Sequence, residues 1–218
     1  MQKMIPKYYK ILYDKDYFSG KKSFFYKFGY KDFPKIWKKK LDILLKYKKK
    51  GKVLEIGCGF GFFLKLLRRY FEVYGFDVSE YAIKVAKKIV PSAHLKVYNA
   101  EDYFPYPTHS FDVIVCIDVL EHLKFLQRLI KNSYIYLKKD GILFLSTPNY
   151  NIIRKTLYYL PDKLEHHISM LPMQLLIRKI KDSGFKIEKI LTYGCILDKE
   201  FWFDNTYGPQ SLVICRKK

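Results

Sequence analysis

The sequence predicts an α/β fold, a doubly wound and mostly parallel sheet with helices on both faces. From position 51 onward, short apolar segments alternate with segments whose apolar residues recur at helical spacing, and this alternation is typical of parallel sheets. The last two apolar segments have no helical segment between them, which predicts an antiparallel pair. Strands are predicted near residues 52–56, 72–76, 95–98, 112–117, 142–146, 186–191 and 211–216, and helices near 60–70, 79–89, 119–136 and 172–183.

The first 50 residues are rich in Tyr, Phe and Lys and are predicted to form a helical lid or cap on residues 51–218. Apolar residues at helical spacing predict one amphipathic helix that runs to Lys50. These residues are Ile36, Trp37, Leu41, Leu44 and Leu45. Tyr17, Phe18 and Tyr30 either close over a ligand or cover one edge of the core. The 218 residues together are expected to form a single domain.

One connection is long for a compact α/β domain. Residues 147–171 join a predicted strand to a predicted helix. Long connections at the carboxyl edge of a sheet usually carry function, because ligands bind at that edge. We therefore expect this inserted segment to contribute to a binding site.

The charge of the chain is strongly positive. It has 41 Lys and Arg against 21 Asp and Glu, a formal charge of +20. Such a charge favours acidic partners, such as nucleic acid, a nucleotide sugar or an anionic membrane surface. However, 35 of the basic residues are Lys and six are Arg, whereas sequence-specific nucleic-acid readers rely on Arg. Nucleic acid is therefore kept as a partner but not favoured, and the oligomeric state is not predicted.

The chain has no uncharged apolar run of about 18 residues, so no membrane span is predicted. Its first residues lack the apolar segment of a signal peptide, so a cytoplasmic location is expected. No two cysteines form a C-x-x-C pair, which argues against a structural zinc site. We interpret all four as small apolar residues in a reducing compartment. They are Cys58, Cys116, Cys195 and Cys215.

A glycine loop follows the first predicted strand. The segment Val53–Phe63 runs from apolar residues into Gly57, Gly59 and Gly61, and then into a predicted helix. Glycines permit a tight turn and close approach to a ligand, and a helix N-terminus attracts a carboxylate or phosphate. The dinucleotide pattern G-x-G-x-x-G/A fails, because Phe62 stands where a small residue is required. The loop therefore predicts an anion site of another class.

Six segments follow one another along the chain: DKDYF (14–18), E-x-G-x-G-x-G (55–61), FDVS (76–79), FDVIVCIDVLEHL (111–123), LKKDGILFLSTPN (137–149) and HHISMLPMQLLIRKIKDSGF (166–185). In this order they resemble the class I S-adenosylmethionine-dependent methyltransferases, in the small-molecule branch that includes ubiquinone-type O-methyltransferases. The resemblance implies a Rossmann-like, seven-stranded sheet whose last strand is antiparallel. It also implies S-adenosyl-L-methionine as cofactor and a small methyl acceptor, for which an anionic group is one option.

The resemblance also implies a role for individual residues. The methionine carboxylate of the cofactor would meet backbone N–H groups of the glycine loop, Cys58 included. Glu55 would face the ammonium group, although a solvated acid at a strand end is the alternative. Asp77 would accept both ribose hydroxyls or would cap the following helix, a role that Ser79 can fill alone. Val78 would pack on one face of the adenine.

The edge of the adenine is expected near the end of the third predicted strand. Backbone atoms of Ala100 and Glu101, next to Asn99, could bind the ring nitrogens, although an ordinary turn is the alternative. Ile117, at the end of the fourth predicted strand, is also assigned to the cofactor pocket.

Asp118, Glu121 and His122 share one face of the predicted helix over 119–136. They could hold a divalent ion, or His122 could act as a general base. The alternative is a capping box with Asp118 at the N-cap and Glu121 three residues later. His122 is the first candidate for a base, and no metal ion is predicted. By resemblance His167 lines the acceptor pocket or bonds a backbone carbonyl.

Two other function classes stay open. The first is an RNA or protein methyltransferase, although no N-P-P-Y or D-P-P-Y segment follows the fourth predicted strand. The second is a non-catalytic protein that binds the cofactor. Because the methyl group of a sulfonium is already electrophilic, an enzyme mainly has to align the acceptor and exclude water. The identity of the acceptor is therefore not readable from the sequence.

Overall fold

The computed structural model describes residues 5–24, 26–196 and 199–218. Its strands are β1 Gly51–Ile56, β2 Phe71–Asp77, β3 His94–Val97, β4 Phe111–Ile117, β5 Leu137–Pro148, β6 Phe185–Ile196, β7 Lys199–Phe203 and β8 Gln210–Lys217. Its helices are α1 Lys7–Leu12, α2 Lys15–Phe18, α3 Pro34–Leu44, α4 Phe62–Leu67, α5 Glu80–Ile89, α6 Leu126–Tyr136, α7 Ile152–Leu157, α8 Tyr159–Leu164 and α9 Met173–Asp182. A single 3₁₀ turn, Leu120–His122, lies between β4 and α6.

The strands form one sheet in the order β3-β2-β1-β4-β5-β8-β6-β7. Strands β1 to β5 pair in parallel, and β8 is antiparallel to both β5 and β6. The predicted α/β sheet with an antiparallel last strand is therefore confirmed. The sheet has eight strands rather than seven, because β7 pairs antiparallel with β6.

The hydrophobic core lies on both faces of the sheet, as alternation along each strand requires. Leu54 of β1 and Ile114 of β4 are fully buried on the face that α6 and α9 cover. Val53 and Val113 are fully buried on the opposite face, against α3 and α4. Buried residues on both faces explain why the central strands are nearly continuous apolar runs.

The cysteines that the structure describes in full are buried free thiols, namely Cys58, Cys116 and Cys215. The side chain of Cys195 lies outside the described part of the chain. Among the described helices, none combines the length and the apolar character that crossing a bilayer demands.

The structure corrects two helix predictions. The helix predicted to run to Lys50 ends at Leu44. The helix predicted over 119–136 begins only at Leu126, and no side chain caps it. The capping box is therefore wrong. Asp118 has a φ of 53°, and its Oδ1 accepts a hydrogen bond from Gln210 instead of capping a helix.

Candidate active site

The glycine loop lies at the carboxyl end of β1, where parallel α/β sheets bind their ligands. Gly57, Gly59 and Gly61 have φ angles of 67°, 51° and 78°, a region that favours glycine. Close packing adds to this requirement at Gly57, because Val119 Cγ2 fills the space that a Cβ would need. A side chain at any of these positions would therefore strain the loop.

Asp77, at the end of β2, is buried beside the loop and shapes it. Its Oδ2 accepts a hydrogen bond from Gly59 N at 2.9 Å, and its Oδ1 accepts one from Ser79 N at 2.9 Å. Burial raises the pKa of Asp77, although these backbone hydrogen bonds oppose the effect. Ser79 Oγ caps α5 by accepting from Ala82 N. Asp77 is thus free of the capping role, and its carboxylate lines the cleft.

Glu55 lies inside β1 and is 5% exposed. Its Oε2 has no hydrogen-bond partner in the part of the protein that is described. Burial and the neighbouring Asp77 carboxylate raise the pKa of Glu55 well above its usual value. A buried carboxyl oxygen without a partner is costly, and a ligand ammonium group would relieve that cost.

The other residues assigned to the cofactor fall into two groups. Five of them line the same cleft as the glycine loop, namely Asp77, Val78, Asn99, Ala100 and Ile117, whereas Cys58 and Glu101 are not among the described residues that line it. Asn99 Oδ1 also accepts a hydrogen bond from Glu101 N. The carboxylate of Glu101 instead accepts from Tyr9 Oη at 3.0 Å and from Phe125 N at 2.6 Å. Cys58 is buried, and burial raises the pKa of its thiol well above the usual value.

The N-terminal segment covers the cleft with aromatic side chains. Residues of α1, α2 and the following loop line it, namely Tyr9, Tyr13, Tyr17, Phe18, Tyr26 and Tyr30. The cleft encloses about 870 Å³ of empty space, its open mouth included. The ring of Phe18 stacks on Phe60 of the glycine loop, with ring centroids 4.9 Å apart. The segment therefore packs directly on the loop that it covers.

Hydrogen bonds join this segment to the inserted segment 147–171. Glu165 is buried. Its Oε2 accepts from Tyr17 Oη at 3.1 Å, and its Oε1 accepts from Ser23 Oγ at 2.6 Å. Asp14 accepts from the backbone N–H groups of Asp16 and Tyr17 and so caps α2. Glu165 thereby holds the covering segment at a defined position.

Glu121, His122 and His167 form a cluster next to the cleft. Their potential ligand atoms all lie within 4.8 Å of one another, and the two imidazole centroids are 4.8 Å apart. Glu121 Oε2 accepts a hydrogen bond from Thr147 Oγ1 at 2.9 Å. A carboxylate and two imidazoles are suitable ligands for a divalent cation, and the same groups could bind an acceptor hydroxyl.

The titration of the cluster follows from its burial. Burial, followed by the carboxylate of Asp118, raises the pKa of Glu121 to about 7. Burial, followed by the neighbouring His167, lowers the pKa of His122 to about 3. The Nδ1 of His122 has no hydrogen-bond partner among the described residues. At neutral pH His122 is therefore an uncharged imidazole, and Glu121 is poised between its two protonation states.

The cluster differs from the set that the sequence suggested. Asp118 does not join Glu121 and His122, because its carboxylate turns to Gln210. His167 takes its place, although it lies far along the chain in the inserted segment. The local pattern predicts Glu121 only as a cap or a metal ligand, because its proximity to His167 is not visible within a short window of sequence.

Comparison with known proteins agrees with this geometry. Residues 29–190 match the methyltransferase domain family. The chain is 36% identical over 128 residues to a ubiquinone biosynthesis O-methyltransferase of Coxiella burnetii, a match that covers 56% of this chain and 54% of that relative. It is 30% identical over 182 residues to the protein of the same name from Glaesserella parasuis, covering 75% of this chain and 77% of that relative. The chain thus spans about half the length of the Coxiella relative.

The fold is also found in solved structures. A SAM-dependent methyltransferase of Thermotoga maritima superposes with a TM-score of 0.69 at 19% identity, covering 84% of this chain and 89% of that chain. At this identity the likeness concerns the fold alone. The family match extends over the glycine loop, Asp77 and the cluster. The chain therefore belongs to the class I S-adenosylmethionine-dependent methyltransferases, with S-adenosyl-L-methionine as its cofactor.

Proposed function

We propose that this protein transfers a methyl group from S-adenosylmethionine to a hydroxyl oxygen of a small acceptor with an aromatic ring. One observation carries the proposal: His122, a member of the Glu121–His122–His167 cluster, lines the same cleft as Gly57, Gly59 and Asp77. A methyl donor held at the glycine loop would therefore lie in a cleft that adjoins the carboxyl group of Glu121 through His122.

The residues of the cleft suit the cofactor part by part. The backbone N–H groups of the glycine loop would bind the methionine carboxylate, and the unpartnered oxygen of Glu55 would take the ammonium group. Asp77 would accept the ribose hydroxyls with the lone pairs that Gly59 and Ser79 leave unused. Val78 and Ile117 would pack against the adenine, beside the backbone of Asn99, Ala100 and Glu101.

The residues that line the cleft favour an uncharged methyl acceptor with an aromatic ring. Tyrosine rings of the N-terminal segment line the cleft, and such rings pack well against aromatic groups. No Lys or Arg stands among the described residues that line it, whereas Asp77 and Asp118 do. A phosphorylated acceptor or an RNA backbone would meet these carboxylates unfavourably. The anionic acceptor that the net charge suggested is therefore not the one that we propose.

The chemistry of the cluster suits an O-methylation. The acceptor oxygen attacks the methyl carbon, the carbon–sulfur bond breaks, and sulfur keeps the electron pair as the neutral thioether. The hydroxyl proton passes to Glu121, whose pKa of about 7 suits a general base near neutral pH. His122, as a neutral imidazole, and His167 would orient the hydroxyl. The relatives described above are named O-methyltransferases of ubiquinone biosynthesis, and this supports an oxygen acceptor.

A binding and transfer experiment tests the proposal. Calorimetry with S-adenosylmethionine, S-adenosylhomocysteine and NAD should show binding of the first two only. Transfer of a labelled methyl group should then be measured to a catechol, to an aromatic amine of the same size and to bulk RNA. We expect transfer to the catechol. Transfer to RNA alone would establish the rival function, and cofactor binding without transfer to any acceptor class would support a non-catalytic role.

A further inference from the structure

A buried ion pair, Arg154–Asp162, adjoins the Glu121–His122–His167 cluster through His167. Asp162 of α8 is 3% exposed and Arg154 of α7 is 4% exposed. Arg154 donates to the carboxylate twice, from Nε to Oδ2 at 2.9 Å and from Nη2 to Oδ1 at 2.5 Å. The Nδ1 of His167 lies 2.9 Å from Asp162 Oδ1. The chain thus has a carboxylate fixed by a guanidinium and directed at one nitrogen of the imidazole.

This contact decides which nitrogen of His167 carries a proton. Burial alone would raise the pKa of Asp162, but hydrogen bonds from His167 and Arg154 lower it below its usual value. An ionised carboxylate can only accept hydrogen bonds, so the Nδ1 that faces it has to carry a proton. In the uncharged form of the ring, the lone pair then stands on Nε2.

We propose that Asp162 is a positioning residue, which holds His167 in the Nδ1–H tautomer so that the Nε2 lone pair serves the reaction. The inference rests on the proposed function, because it takes the cluster as the place where the acceptor hydroxyl binds. A histidine whose second nitrogen donates to a carboxylate is fixed in orientation and becomes a better acceptor at the first. Asp162 acts through His167 and does not contact the acceptor.

Arg154 sets the position of Asp162 from the other side. Its Nη1 donates to Gln210 Oε1 at 3.0 Å, and Gln210 Nε2 donates to Asp118 Oδ1 at 2.7 Å. The arginine therefore joins two helices of the inserted segment to β8. Loss of Arg154 would loosen the inserted segment, whereas loss of the Asp162 charge would change which ring nitrogen of His167 carries a proton. The two effects can be measured separately.

Nitrogen NMR on the full-length protein tests this assignment. Long-range proton–nitrogen correlations of ¹⁵N-histidine protein at pH 8 report which ring nitrogen is protonated, and H167Q identifies the His167 signals. We expect His167 to be Nδ1–H in the unsubstituted protein. In D162N we expect this tautomer to be lost or mixed and kcat to fall about 10–100-fold, with an unchanged Kd for S-adenosylmethionine.

Two further variants separate positioning from structural support. R154K keeps the Asp162 charge, so it should retain the Nδ1–H tautomer even if the protein melts at a lower temperature. E188Q removes an Arg–carboxylate pair at Arg216, away from the cluster. It should change neither the tautomer of His167 nor kcat. An Nε2–H or doubly protonated His167 in the unsubstituted protein would overturn the proposal. So would a D162N protein with unchanged tautomer and kcat.

The NMR readout does not depend on methyl transfer. If no acceptor class is methylated, the tautomer still shows whether Asp162 orients His167. If methylation occurs but His167 is not the Nδ1–H tautomer, the proposed function stands and this inference does not. The two failures are therefore distinguishable.

Discussion

The ring of Tyr30 lies against Gly59, with its Oη 3.0 Å and its Cε1 3.1 Å from the point where a Cβ on residue 59 would stand. A tyrosine of the covering segment thus occupies the space above the loop that we assign to the tail of the cofactor. We therefore expect the tail of a cofactor bound at this loop to lie against the ring of Tyr30.

Replacing Gly59 by valine should abolish binding of S-adenosylmethionine without unfolding the protein. The φ of 51° would cost a branched side chain about 1–2 kcal/mol, and the side chain would fill the space beside Tyr30. Calorimetry measures the binding and thermal melting the fold. Gly29→Ala is the matched control, because Gly29 has a φ of 84° but only one atom within 4 Å of the added Cβ, at 3.9 Å. Normal binding by Gly59→Val would show that the ligand sits elsewhere.

Replacing Asp77 by alanine should weaken cofactor binding by about 1–3 kcal/mol, or about 5–150-fold in Kd. The ribose hydroxyls would lose their acceptor, and Gly59 N would lose the hydrogen bond that fixes the loop. Asp77→Asn keeps one acceptor oxygen and should show a smaller loss. In Ser79→Ala, helix α5 loses its cap, so stability should fall by about 1 kcal/mol while affinity is kept. Equal affinity of Asp77→Ala and the unsubstituted protein would remove Asp77 from the site.

The parts of the fold that the sequence predicts well are those whose signals are local. The strand–loop–helix unit around Gly57 and the Ser79 cap of α5 each lie within a few residues, so their pattern is visible in a short window. The helix predicted over 119–136 fails for the opposite reason. Glu121 turns to Thr147, and its backbone oxygen accepts from Ile168 and Ser169, so distant partners impose a 3₁₀ turn on a sequence that reads as helical.

The same distinction applies to the site. Asp77 could be assigned because the end of a strand and the start of a helix are readable from neighbouring residues. The partner of Glu121 could not, because His167 reaches it from the inserted segment. The spacing of residues along the chain does not show how the inserted segment packs against Glu121. The Arg154–Asp162 pair that directs His167 lies within this segment too, and its side chains meet only once α7 and α8 are packed together.

Removing the hydroxyl of Tyr17 should loosen the covering segment. In Tyr17→Phe, the buried carboxylate of Glu165 loses one of its donors while Ser23 still donates to the other oxygen. We expect the free energy of unfolding to fall by about 1–2 kcal/mol. Trypsin should also cleave faster after the exposed Lys21 and Lys22.

Urea denaturation and timed trypsin digestion measure the two effects of Tyr17→Phe. Tyr103→Phe is the control, because Tyr103 is 71% exposed, and loss of its hydroxyl should change neither. If the digestion rates of the two variants agree, Glu165 does not hold the segment in place.

Acid should destabilise the protein through His122. The pKa of this imidazole is about 3 in the folded protein against its usual 6.5, so between these values the unfolded chain binds a proton that the folded protein excludes. The stabilising contribution of the neutral His122 is therefore complete above about pH 6.5 and is lost as the pH falls towards 3. Between pH 7 and pH 5 this contribution should fall by about 2 kcal/mol, whereas the raised pKa of Glu121 acts in the opposite direction over the same interval.

Chemical denaturation at pH 7 and pH 5 measures this loss, and His122→Asn supplies the comparison. Asparagine does not titrate in this range, so the variant should lose about 2 kcal/mol less than the unsubstituted protein over the same interval. The histidines that do not contact His122 are common to both proteins and cancel in the difference, whereas His167 lies against His122. Parallel pH dependence of the two proteins would mean that His122 is hydrated or charged in the fold. In that case it could not serve as the neutral imidazole that orients the acceptor hydroxyl.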